Sequence, residues 1–196
     1  MTDDAQPFSQ MEASLKKAAA ALREAGIPFL LGGSLASWAR GGPETTHDLD
    51  LMIKPEDAER AVAVLEGEGM KPDPPPEEWL LKVWDGDVLI DLIHHPAGIE
   101  MTDEVIERGD KINVLSMEMH VMALEDVLTT KLRALTEHEL DYSRLLQIAR
   151  ALREQIDWAL VRERTHESPF ARAFFVLVED LGIAPAADEA GLGDAR

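Results

Sequence analysis

Apolar residues along the chain switch between helix spacing and strand spacing up to about residue 120. They recur every three or four positions over two segments, which predicts amphipathic helices at 9–25 and 55–66. Short apolar runs bounded by turn residues predict strands at 28–31, 48–53, 79–84, 88–93 and 112–115. Asp85-Gly86 lies between two of these runs and is typical of a hairpin. The pattern therefore predicts a mixed sheet with helices, an α/β (α+β) fold.

Two further stretches complete the expected organisation. Residues 71–78 carry four prolines and are predicted to be a loop. From Ala123 onward the spacing is helical almost to the end, and Ser168-Pro169 is a typical helix start. These helices have extended apolar faces, so we expect them to pack on the sheet part. We therefore predict a sheet domain at 1–118, a helical region at 119–184 and a flexible tail at 185–196.

Charge restricts the classes of partner. The 196 residues include 38 acidic and 19 basic ones, giving a formal net charge of -19. This balance argues against a protein that coats nucleic acid, because phosphate contacts need clustered Lys and Arg. A local basic groove on an acidic protein remains compatible with a nucleic-acid substrate. The acidity fits a cationic substrate or partner more directly, because acidic clefts concentrate cations.

The sequence also excludes several kinds of chemistry and location. It contains no cysteine, which excludes disulfides, thiolate nucleophiles and cysteine-ligated zinc. No apolar run approaches the roughly 20 residues needed to cross a bilayer. The first seven residues lack the basic and then apolar layout of a signal peptide. We therefore expect a cytoplasmic protein without a membrane partner.

The stretch from Gly32 to Asp50 carries the most informative chemistry. Alternation along a strand places Asp48 and Asp50 on one face, where two carboxylates repel each other. A divalent cation between them would relieve that repulsion, and Mg²⁺, or Mn²⁺ in its place, suits carboxylate and phosphate oxygens. Gly32 and Gly33 allow the backbone to approach a phosphate closely. A helix beginning near Ser34 would direct its free N–H groups at the same phosphate.

Asp91 is a third candidate ligand. It lies within the apolar run 88–93, and a charged residue in such a run needs a partner or a metal. The predicted hairpin places this strand within the sheet, beside the strand of Asp48 and Asp50. Three carboxylates could hold two metal ions about 3.5–4 Å apart.

Together these residues resemble the signature of the nucleotidyltransferase superfamily that shares its fold with DNA polymerase β. That signature is a Gly-Gly/Ser turn, then Asp-hydrophobic-Asp, then a third Asp on a later strand. The resemblance implies transfer of a nucleoside monophosphate from a nucleoside triphosphate to an acceptor hydroxyl, with release of pyrophosphate. It also implies metal binding by the three aspartates and phosphate binding by the turn. The matching residues are Gly32, Gly33, Ser34, Asp48, Asp50 and Asp91.

A narrower resemblance is to the AbiEii and MenT-type nucleotidyltransferase toxins, which carry Thr or Ser two residues before the first Asp, as Thr46 does here. The segment 124–135 is similar to a helix of those toxins, and Lys131 stands at the position of the lysine that helps to complete their site. This likeness implies that Lys131 neutralises the triphosphate, that tRNA is the acceptor, and that an antitoxin protein is a partner. Asp141 matches the first residue of a downstream acidic pair, whereas Arg144 stands where the second is expected.

Three functional hypotheses remain open at this level. The first is a toxin that modifies tRNA, and the second is an enzyme that nucleotidylates a small cationic antibiotic such as an aminoglycoside. The third is a catalytically silent nucleotide-binding module, against which the intact aspartate triplet argues. Arg40 either contacts the triphosphate or caps its helix. The basic residues available for an RNA groove are Arg133, Arg144, Arg150 and Arg153.

Overall fold

The structure, a computed structural model, describes residues 5–44, 48–74 and 77–186. The chain forms two compact units. The first comprises the described residues up to Ala39, together with Glu44–Pro96 and Glu100–Ala123. The second comprises Arg40–Pro43, Ala97–Ile99 and the described residues from Leu124 onward.

The first unit contains a seven-stranded mixed sheet and helices, which confirms the predicted fold class. The strand order is β3-β4-β5-β2-β1-β7-β6. The strands are β1 (Phe29–Leu31), β2 (Leu49–Ile53), β3 (Lys71–Asp73), β4 (Leu80–Asp85), β5 (Val88–Ile93), β6 (Asp110–Val114) and β7 (Met117–Val121). The helices are α1 (Ala5–Glu24), α2 (Gly33–Trp38), α3 (Ala58–Gly67), preceded by a 3-10 turn at Pro55–Asp57, and α4 (Asp103–Glu107).

The centre of the sheet combines both strand directions. β2 is antiparallel to β1 and parallel to β5, and β4 and β5 form an antiparallel hairpin. Asp85, at the end of β4, accepts hydrogen bonds from Ser14 and Lys17 of α1 at 2.8 and 2.7 Å. By strand alternation Asp91 lies on the opposite face from Asp85. Helix α1 therefore packs against one face of the sheet, and Asp91 belongs to the other, which we call the site face.

The prediction of a loop over 71–78 was wrong for its first three residues, which form β3. Among the described strands it lies at the edge of the sheet and pairs with β4, in the register Pro72 to Val83. A proline cannot donate a backbone hydrogen bond, but an edge strand leaves one row of its N–H groups unpaired in any case. The prolines therefore limit β3 to a short edge strand and do not exclude it.

The sequence analysis also missed the hairpin formed by β6 and β7 and the helix α4. The predicted strand 112–115 is the end of β6, and the turn that follows it consists of Leu115 and Ser116. Both have positive φ values, 51° and 63°. Glycine or asparagine normally occupies such positions, so the usual hairpin composition is absent here. Helix α4 is only five residues long and is capped by the Thr102 side chain.

The second unit consists of helices with their own apolar core. They are α5 (Leu124–Arg133), α6 (Ser143–Leu152), α7 (Trp158–Thr165) and α8 (Pro169–Asp180). The predicted start of the last helix is confirmed, because the Ser168 hydroxyl accepts a hydrogen bond from the Ala171 N–H at 3.2 Å. Phe174 and Phe175 are fully buried in this core. No helix in the described part of the chain is long and apolar enough to span a membrane.

Candidate active site

Asp50 and Asp91 lie side by side at the centre of the site face. They are direct partners in the parallel pairing of β2 and β5. Neighbouring strands are about 4.8 Å apart, so the two carboxylates leave the sheet from adjacent positions. Asp48 is exposed and immediately precedes β2, so the strand begins one residue later than predicted. The structure thus places Asp50 beside Asp91 in the sheet, with Asp48 two residues before Asp50 at the start of β2.

The Gly32-Gly33 turn fits closely around this pair. The Gly32 N–H donates a 2.8 Å hydrogen bond to the Asp50 carbonyl, which fixes the end of β1 against β2. A Cβ atom on Gly33 would lie 1.6 Å from Oδ2 of Asp50, and Gly33 has a φ of +56°. Position 33 therefore requires glycine for its conformation and for its contact with the carboxylate. Helix α2 begins at Gly33, and its N-cap, Gly32, provides no side-chain cap.

The charge of Asp91 is only partly compensated by its neighbours. Burial raises the pKa of its carboxyl to about 6, with smaller contributions from the negative charges of Asp48 and Glu77 and an opposing effect of Lys82. Its Oδ1 atom is buried and has no hydrogen-bond partner within the described residues. Buried polar atoms are normally paired, so an orphaned carboxylate oxygen is a position where a cation would be stabilised.

The chemistry of this group of side chains fits a divalent metal. Asp50 and Asp91 are adjacent, one oxygen of Asp91 lacks a partner, and Asp48 is close enough to raise the pKa of Asp91. Within the described ranges, no three His, Cys, Asp or Glu residues are clustered tightly enough to form a metal cage. Mg²⁺ does not need one, because it usually takes one or two carboxylates and completes its shell with water and substrate phosphates.

The sequence was compared with models of known protein families and with curated proteins. The model of a family described as uncharacterised nucleotidyltransferase matches residues 6–179. The chain belongs to this nucleotidyltransferase family. Among curated proteins, none matches the sequence significantly.

Solved structures similar to the nucleotidyltransferase include two of the antibiotic-resistance factor ANT(2'')-Ia. The solution structure is 16% identical, with a TM-score of 0.62, and the match covers 89% of this chain and 97% of that one. The crystal structure with adenylyl-2''-tobramycin gives the same identity and TM-score and covers 85% and 99%. JHP933 from Helicobacter pylori is 15% identical, with a TM-score of 0.51 and coverage of 91% and 79%. Similarity at these identities establishes the fold.

Three other residues singled out from the sequence, Lys131, Arg40 and Asp141, belong to the second unit. Lys131 is half-buried on α5, and Arg40 belongs to a short segment of the same second unit, where its carbonyl accepts a hydrogen bond from Gln155 at 3.1 Å. Asp141 is exposed, and its carboxylate accepts a hydrogen bond from the Ser143 N–H at 2.8 Å, which lowers its pKa. This contact gives Asp141 a local function at the start of α6. Thr46 lies outside the described residues.

The sequence analysis missed one charged residue of the site face, Lys82. It is the direct partner of Asp91 across the β4–β5 hairpin. The turn of this hairpin is formed by Gly86 and Asp87, one position later than the predicted Asp85-Gly86. Counting residues outward from that turn places Lys82 opposite Asp91. The strand register is therefore the sequence signal by which Lys82 could have been found.

The contact between Gly33 and Asp50 leads to a first prediction. In Gly33→Ala, the added methyl group should displace the Asp50 carboxylate and lower the rate of nucleotide transfer at least about tenfold, because small misplacements of catalytic groups are costly. The positive φ should also reduce the free energy of unfolding by about 1–2 kcal/mol. Steady-state rates and denaturant unfolding would measure the two effects.

Gly86→Ala is the matched control. Gly86 also has a positive φ, +63°, but a Cβ atom there would meet nothing within 4 Å. It should share the loss of stability and retain the transfer rate. Equal rates in the two variants would show that the carboxylate does not need its observed position.

Proposed function

We propose that this nucleotidyltransferase transfers a nucleoside monophosphate from a nucleoside triphosphate to an acceptor hydroxyl, with Asp48, Asp50 and Asp91 holding the metal ions. The supporting observation is the pairing of Asp50 with Asp91 on neighbouring strands, directly against Gly33. A divalent cation bound there would offset the charge of the triphosphate and of the carboxylates.

The reaction can be written from the side chains of the site. The acceptor hydroxyl oxygen forms a bond to the α-phosphorus, and the bond from that phosphorus to the oxygen bridging to the β-phosphate breaks. Asp91 takes the hydroxyl proton, and pyrophosphate leaves. A carboxylate whose pKa is about 6 is ionised at neutral pH and is a stronger base than an ordinary aspartate. Gly33 and Ser34 bind phosphate oxygens, and Lys131 offsets the negative charge that develops on the leaving group.

Isotope position tests this reaction directly. With Mg²⁺ and a suitable acceptor, label on the α-phosphate should appear in the acceptor, and label on the γ-phosphate should appear in pyrophosphate. Transfer of the γ-label to the acceptor would instead identify a phosphotransferase and refute the proposed chemistry.

The charge distribution favours a small cationic molecule as the acceptor, for example an aminoglycoside-like antibiotic. The protein carries a net charge of -19, and Glu77 adds to the negative charge around Asp91. Two of the arginines considered for an RNA groove form ion pairs. Nη1 of Arg133 is 3.1 Å from Oε2 of Glu167, and Nε of Arg153 is 2.9 Å from Oε1 of Glu154. These carboxylates offset part of the positive charge that an RNA backbone would need.

The toxin hypothesis is the second candidate, supported by the likeness of segment 124–135, which contains Lys131, to the toxin helix. On that hypothesis tRNA is the acceptor and an antitoxin binds the protein. The two candidates differ in what becomes labelled and in how strongly salt inhibits the reaction, because each phosphate contact steepens the salt dependence.

A variant in which Arg133, Arg144, Arg150 and Arg153 are all replaced by Gln distinguishes the candidates. We expect it to keep the rate of labelling of a small cationic acceptor within about twofold, because no backbone phosphate contacts are lost. The measurement is the rate of transfer from α-labelled nucleotide to an aminoglycoside panel and, separately, to total tRNA. Labelling of tRNA by the wild type, if it is abolished in the arginine variant and by moderate salt, would favour the toxin hypothesis instead.

A further inference from the structure

Three charged residues form a straight row across the site face. Lys82 on β4 is the register partner of Asp91 on β5, and Asp91 is in turn the partner of Asp50 on β2. Directly opposed residues project from the same face of a sheet. Asp91 therefore has a carboxylate on one side and an ammonium-bearing side chain on the other.

Lys82 is partly buried and lies near a second carboxylate, that of Glu77. Its side chain is 25% exposed, and its Nζ atom lies 3.9 Å from Oε2 of Glu77. That glutamate oxygen is itself buried and has no hydrogen-bond partner among the described residues, as is also true of Oδ1 of Asp91. Lys82 is thus placed next to two carboxylates, Asp91 by strand register and Glu77 by contact, and each has a buried oxygen without a hydrogen-bond partner among the described residues.

We propose that Lys82 is a positioning residue that offsets the Asp91 charge from the β4 side, while a divalent metal offsets it from the β2 side. This inference rests on the proposed function for its metal and on the sheet register for its lysine. When no metal is bound, Lys82 offsets part of the charge of the Asp91 carboxylate. Because two cations that share one carboxylate repel each other, the lysine also weakens metal binding and so allows the ion to exchange.

The alternative is an ordinary ion pair between Lys82 and Glu77 near the surface, which would contribute little to stability and nothing to metal binding. The two interpretations predict different effects of removing Lys82 on metal binding. Loss of a lysine that competes with the metal should tighten metal binding, whereas loss of a surface ion pair should leave it unchanged.

The experiment is a titration of the full chain with Mn²⁺, followed by calorimetry, for wild type, Lys82→Met and Lys82→Arg. We expect Lys82→Met to bind Mn²⁺ about three- to tenfold more tightly, because one repulsive charge a few ångströms from the ion is removed. Lys82→Arg keeps the charge and should resemble wild type. Lys111→Met is the matched control, since Lys111 is an exposed lysine on β6 at the other end of the sheet. Unchanged or weaker Mn²⁺ binding in Lys82→Met would overturn the proposal.

A double-mutant cycle in EDTA tests the same contact without metal. Lys82→Met should lower the melting temperature by about 2–4 °C in the wild-type background. It should lower it less in the Asp91→Asn background, because the carboxylate that it offsets is gone. An equal decrease in both backgrounds would assign Lys82 to Glu77 and overturn the proposal. This cycle does not depend on catalysis, so it can succeed even if the isotope experiment refutes nucleotide transfer.

Discussion

Asp50→Asn should abolish nucleotide transfer and leave the fold intact. The amide keeps the shape of the side chain against Gly33 and relieves the repulsion from Asp91. It removes, however, a carboxylate proposed to hold the metal, and metal-assisted charge stabilisation is worth several kcal/mol, which corresponds to a rate loss of about a thousandfold or more. Transfer from α-labelled nucleotide measures this effect.

Melting curves test the reason for that loss. Mg²⁺ together with nucleotide should raise the melting temperature of the wild type, because a ligand that binds only the native state stabilises it. The same addition should not stabilise Asp50→Asn, whose melting temperature in EDTA should equal or exceed that of the wild type. Asp87→Asn, an equivalent change at an exposed turn residue, should behave as wild type in both assays. Full activity in Asp50→Asn would end the assignment of Asp50 as a metal ligand.

The strands that carry the carboxylates could be predicted because their apolar composition and the turn residues beside them both indicate strands. The run Val88–Ile93 is almost wholly apolar, as expected for a strand in the middle of a sheet, and a glycine-containing turn precedes it. Asp91 stands out only against that background. Its position beside Asp50 then follows from placing two apolar strands at the sheet centre.

The remaining features depend on information that local patterns do not carry. Leu115 and Ser116 form a hairpin turn in conformations that their side chains disfavour, so composition gave no indication of β7. Lys82 looks like any polar residue of a strand until the register places it opposite Asp91. Asp141 matches a family motif by position, but its hydrogen bond to Ser143 uses the carboxylate locally. The register and local hydrogen bonding therefore decide these assignments.

Asp91→Asn should lose transfer about a hundredfold or more, because a general base typically contributes 10²–10⁴-fold. It should at the same time make the metal-free protein more stable at pH 8. An ionised Asp91 is costly to bury, as its raised pKa of about 6 shows. The side chain is partly exposed, so solvent screening reduces the gain in free energy of unfolding to about 1 kcal/mol. Urea unfolding in EDTA measures the gain, and labelled-nucleotide transfer measures the loss.

The dependence of this gain on pH distinguishes a carboxylate destabilised by burial from a carboxylate stabilised in a structural ion pair. The native state binds more protons than the unfolded state between the ordinary aspartate pKa of 3.8 and the native value of about 6. The stability contributed by the protonated form is therefore lost as pH rises through this window. The difference in free energy of unfolding between Asp91→Asn and wild type should grow from near zero at pH 4 to its full size above pH 7. If Asp91 mainly served as the ion-pair partner of Lys82, removing its charge would deprive a partly buried cation of that partner, and the variant would be less stable than wild type at pH 8. Saturating Mg²⁺ and nucleotide should reverse the order, because they stabilise only the protein that retains the carboxylate.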